Sequence, residues 1–171
     1  MDYITKPVSR KDLRRFAKIF RDIFDVPQTG AFPVLEALER LPDVFDKSYY
    51  RVVENRKLSK KNPARCVLNK DGSFVIEIQK RIYDGAQKGI GAYLGFILHE
   101  ILHIFMFDIG YRPIFNRSFA NCEKYETIEW QVKAITGEVA IPYEESKGMT
   151  LDEIMTKYKV SKGFALVRLS K

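Results

Sequence analysis

The stretch ILHEILHIFMF, residues 97–107, places two histidines and a glutamate inside an otherwise apolar run. His99 and His103 are the only histidines in the chain. On a helix they share one face, four residues apart, while Glu100 lies about 100° round the axis. His99-Glu100-Ile101-Leu102-His103 is thus an HExxH pattern, a spacing that suits two imidazole ligands of a tetrahedral zinc ion with a glutamate beside them as general base. A helix that buried these three groups without a ligand or a hydrogen-bond network would be strongly penalised. Residues 90–110 are also long enough to cross a membrane, but no second apolar span is available to shelter the charges, so a membrane segment is not expected. Gly91 and Gly95 precede the histidines at the same step of four, leaving room either for a substrate or for close packing of another segment.

With 171 residues the chain fits one domain, and 46% hydrophobic with 30% charged residues describes a globular protein, not a disordered or fibrous one. Cys66 and Cys122 are too few for a disulfide framework, and the start MDYITKPVSRKDLRR has no apolar signal core, so a cytoplasmic location is expected. The formal charge of +7 would tolerate nucleic acid. However, the basic runs RKDLRR and RKLSKK read as solvated faces, and direct nucleic-acid binding is not expected.

Periodicity indicates an α+β fold, mainly helical, with a small antiparallel sheet of about three strands beside the HExxH helix. Ser9 caps an amphipathic helix carrying Leu13, Phe16, Ala17, Phe20 and Phe24, and Pro33 opens a short second helix through Leu41. SYYRVVE, ARCVLN and SFVIEIQ are strand-like, with a hairpin signal at Asp71-Gly72 and an exposed lysine-rich loop between the first two. A capping box at Asp84 and Gln87 points to one long helix over residues 85–109, ended by Gly110. Another helix is expected from about Glu123 to Ile141, stopped by Pro142. Thr150 with Glu153, and then Ser161, cap two short terminal helices that read as packing elements. One domain results, with N-terminal helices over 1–47, the sheet over 48–82, the metal-binding helices over 83–142 and the terminal helices over 143–171.

A hydrolytic zinc site needs three protein ligands and an open position. A metzincin would carry glycine at Met106 and histidine at Ile109, so that class is excluded. The third ligand is then a carboxylate or, less favourably, Cys122. Among Glu123, Glu126, Glu129 and Glu138, the residue nearest the centre of the apolar stripe Tyr125, Ile128, Val132, Ile135 and Val139 is Glu129. Tyr111, Tyr125 or Tyr143 could supply a neutral donor to an oxyanion.

Residues 129–142, EWQVKAITGEVAIP, resemble the segment that follows HELGH in the ImmA/IrrE metallopeptidases, and the tail VSKGFALVRL is similar to that family's ending. The chain departs from the pattern at Leu102, at Ile135-Thr136, and at Lys133, where an asparagine or aspartate would orient a histidine ring. Asp108 or Glu126 could stand in for it. The resemblance implies a zincin-like domain in which His99, His103 and Glu129 hold Zn2+ and Glu100 is the catalytic base. It further implies an endopeptidase whose partner is a protein substrate, a helix-turn-helix transcriptional repressor of a mobile element or stress response. The alternatives are a zinc-binding regulator that binds a repressor without cutting it, or a basic nucleic-acid-binding domain with a structural metal.

Overall fold

The computed structural model describes residues 1–170. Helix α1 (Arg10–Ile23) begins where Ser9 Oγ accepts a hydrogen bond from the Asp12 main-chain N–H, the expected cap. Its inner face buries Leu13, Ala17 and Phe20, and Phe20 packs at tilted or edge-on angles against Phe24, Phe32 and Phe105 with ring centroids 5.1–5.3 Å apart. After Pro33 the chain forms not one helix but two, α2 (Val34–Glu39) and α3 (Leu41–Val44). Pro42 explains the break, since it lacks an N–H and its ring crowds the preceding turn.

Strands β1 (Ser48–Val53), β2 (Ala64–Leu68) and β3 (Phe74–Gln79) form a three-stranded sheet in the order β1-β3-β2. The sheet is mixed, not wholly antiparallel as expected. β2 and β3 form the hairpin announced by Asp71-Gly72, with Gly72 at φ +81°, but β1 lies parallel on the other side of β3. The ten residues between β1 and β2 are too many for a tight hairpin and carry the chain to the opposite edge. This link is also anchored: the Gln79 side-chain amide donates to the carbonyls of Asn55 and Leu58, each at 2.7 Å.

The expected long helix is two helices, α4 (Lys80–Gln87) and α5 (Gly91–Asp108), set 115° apart. Asp84 does not cap; it sits inside α4, paired with Lys80 at 2.7 Å. Gly89 takes the left-handed conformation, φ +80°, that commonly ends a helix, and the missing Cβ of Gly85 admits the Tyr93 ring at the elbow. From Ile97 to Met106, α5 is packed on nearly every side, so its apolar surface is core. No single helix among the described residues is long and apolar enough to cross a membrane.

Helix α6 (Ile128–Ala140) starts later than expected. Glu123 and Glu126 cap each other in a separate 3₁₀ turn, Lys124–Glu126, and Thr127 is extended before its hydroxyl accepts from Trp130 N–H. Residues 3–5 lie along this junction, with Thr5 N–H donating to Glu126 O and Ile128 N–H to Tyr3 O. The far end of α6 is closed by Arg21, which is fully buried and donates to Val139 O at 2.8 Å. Helices α7 (Leu151–Tyr158) and α8 (Lys162–Leu169) keep their expected caps at Thr150 and Ser161. The turn between them packs on Gly91, where a Cβ would lie 2.7–2.8 Å from the backbone of residues 159–161, and the Phe164 ring packs on Gly95. Among the described residues, eight α-helices and a mixed sheet give the α+β class.

Candidate metal centre

Two helices bring the three candidate ligands together. His99 and His103 project from the middle of α5, and Glu129 stands in the first turn of α6, placed there by the Thr127 cap. His99 Nε2 lies 3.1 Å from Glu129 Oε2, His103 Nε2 lies 3.0 Å from Glu129 Oε1, and the two Nε2 atoms are 3.2 Å apart. Tetrahedral ligands at ordinary zinc distances stand ~3.3 Å from one another, close to this spacing. Two imidazole nitrogens that face each other can share only one proton, so lone pairs and a carboxylate converge on a point that a cation would satisfy. The donor set therefore fits zinc. Cys122 stands outside this group.

Burial works against a charged Glu129, but the His103 and His99 rings beside it outweigh that and hold the carboxyl well below the usual range. His103 is wholly buried, and its Nδ1 has no hydrogen-bond partner among the described residues. Neither stand-in for the missing orienting group reaches it: Glu126 is engaged by Arg117 at 2.7 and 2.9 Å, and Asp108 is exposed at the end of α5.

Glu100 is buried, and its Oε2 accepts from the Cys66 main-chain N–H of β2 at 2.7 Å. Burial, and then the charge of Glu100, push the Cys66 thiol up. His99, Glu100 and Glu129 line one cleft of about 1010 Å³, which also meets Lys57, Lys61 and Lys133. None of the three expected tyrosines lines it. Tyr111 is buried under Lys6, Tyr125 is exposed on the 3₁₀ turn, and Tyr143 lies beneath the Arg14 guanidinium at 3.5 Å.

Two features escaped the sequence. The N-terminal residues reach the site, Asp2 Oδ1 accepting from Glu129 N–H at 3.3 Å and the Met1 amino group lying 3.4 Å from Glu129 Oε1, pairings across 127 and 128 positions that no local pattern marks. Glu138, which the stripe places away from the core, is in fact buried among Arg10, Arg14 and Arg168. No family model matches the chain, and no curated protein matches it.

Proposed function

We propose that this protein is a zinc-dependent endopeptidase acting on a regulatory protein, the helix-turn-helix repressor class that the ImmA/IrrE resemblance implies. The observation that carries this reading is the convergence of His99 Nε2, His103 Nε2 and Glu129 within 3.0–3.2 Å of one another, in a cleft that Glu100 also lines. A bound Zn2+ would supply Lewis-acid polarisation of a peptide carbonyl and acidify the attacking water. Glu100 takes the proton from a water in the cleft and passes it to the leaving amine. The Cys66 N–H fixes one oxygen of that carboxylate, and the other has no partner among the described residues. Asp2 holds the first turn of α6 through the Glu129 N–H, which steadies the Glu129 side chain beside the histidines.

The test is to incubate the purified protein with a candidate repressor, with and without chelator, and to follow cleavage by mass spectrometry. Wild type should cut and Glu100→Gln should not, while both retain one zinc per chain. Cleavage that survives Glu100→Gln sinks the mechanism.

A second reading is favoured by one observation, the partnerless His103 Nδ1 on a helix pair where Lys133 replaces an orienting group. It is a regulator that keeps the metal site and binds a repressor without cutting it. Tight repressor binding without hydrolysis, unchanged in Glu100→Gln, would support it.

A further inference from the structure

We propose that the cavity adjoining the cleft, between α6 and α8, is a specificity subsite for a peptide segment that presents a large apolar side chain beside a carboxylate. This rests on the peptidase reading, whose substrate class it specifies. Lys133 and Phe164 line both the cleft with His99, Glu100 and Glu129 and a second cavity of about 380 Å³. The two spaces therefore adjoin those side chains, and a chain lying across the cleft would place one residue in the second by passing them. Trp130, Ala134, Ile141 and Val167 supply its apolar wall, and its volume falls within the range of about 300–1,000 Å³ typical of ligand sites.

The charge lining this cavity is mostly positive, from Arg10, Lys133 and Arg168. Glu138 is the only acid in its lining, and it is already matched by Arg168 at 3.0 Å and by Arg10 and Arg14 at 3.7 Å each. Arg168 is more than nine-tenths buried, and its Nε and Nη1 lack hydrogen-bond partners among the described residues even though Nη2 donates to Glu138 and to two carbonyls. Lys133 is exposed one helical turn after Glu129 and forms no ion pair among the described residues. In the cleft, Lys57 and Lys61 are likewise unpaired among the described residues, whereas its three acids are engaged: Glu100 accepts from Cys66 N–H, Glu129 lies against the histidines, and Asp2 accepts from Glu129 N–H. A carboxylate entering here meets free cations, and an ammonium meets repulsion.

Trp130 is the only tryptophan in the chain, so its emission reports occupancy of this cavity without any need for turnover. The full chain carrying Glu100→Gln is titrated with the acetylated, amidated tetrapeptide Ala-Leu-Glu-Ala and with Ala-Leu-Lys-Ala. The glutamate peptide should bind about tenfold more tightly, Lys133→Met should remove most of that preference, and Lys133→Glu should invert it. Equal binding of the two peptides, a preference intact in Lys133→Met, or tighter binding of a ten-residue oligothymidylate would overturn the subsite. Hydrolysis by wild type with no acidic preference overturns the subsite alone. The preference without any hydrolysis leaves the subsite standing and removes the peptidase reading.

Discussion

The Cys66 main-chain N–H donates to Glu100 Oε2 at 2.7 Å, so an edge strand of the sheet grips the second residue of the HExxH pattern. In an antiparallel ladder alternate residues turn their N–H groups away from the neighbouring strand, and β2 gives one of its outward groups to this carboxylate. Glutamine at position 100 keeps an acceptor for that N–H, but alanine strands it in the interior. Glu100→Gln should therefore unfold in urea within about 1 kcal/mol of wild type, and Glu100→Ala should lose about 1–3 kcal/mol. Hydrolysis should fall by about 10²–10⁴-fold in both. Equal stability of the two variants would show that the bond carries no weight.

Metal binding should stabilise the fold, because the ligands come from two helices and meet only when α5 and α6 are packed. Free Zn2+ at a hundred times its Kd would add about 2.7 kcal/mol. For a chain of this size that raises Tm by about 5–10 °C. His103→Ala should abolish the rise, as measured by thermal melts with and without Zn2+ on chelator-stripped protein. A rise that persists in His103→Ala would place the ion elsewhere.

The parts of the fold legible in the sequence are those decided within one or two helical turns. Ser9, Thr150 and Ser161 cap where expected because each cap involves only the next three residues. The candidate trio was legible for the same reason: the histidines are four apart on one helix, and Glu129 lies at the edge of an apolar stripe on another. What failed depends on distant partners. The parallel pairing of β1 with β3 leaves no local mark. Glu138 is buried because arginines from α1 and α8 arrive to neutralise it. The elbow at Gly89 is the exception, a local feature: Gly89 takes a left-handed φ and Gly85 admits the Tyr93 ring, all between residues 85 and 93.

The glycines differ in what surrounds them, and that difference is measurable. A Cβ at Gly91 would lie 2.7–2.8 Å from the backbone of Lys159, Val160 and Ser161, so Gly91→Ala must push the α7–α8 turn away. It should destabilise by about 1–3 kcal/mol, as overpacked sites do. A Cβ at Gly137, inside α6, meets nothing within 4 Å. Gly137→Ala should instead stabilise by about 0.5–1 kcal/mol through reduced freedom of the unfolded chain. Denaturant titrations of the pair decide the matter, and a loss at position 137 would contradict the packing described here.

Glu77 stands at the centre of the sheet with Arg51 and Arg65 directly across from it on the two flanking strands. Burial opposes its charge, but hydrogen bonds from Arg51 and Arg65 prevail and hold its carboxyl below the ordinary value of 4.5. A carboxylate with a lowered pKa in the folded state stabilises above its unfolded pKa, and loses that contribution as pH falls through the folded one. Wild type should thus be more stable than Glu77→Gln at pH 7, with the gap closing as pH drops below about 4.5. Both guanidiniums are more than half exposed, so added salt should narrow the gap at pH 7 as well. Urea unfolding of the two proteins from pH 7 to pH 3 measures it, and a gap that stays constant across that range would show that the two arginines do not hold Glu77 in its charged form.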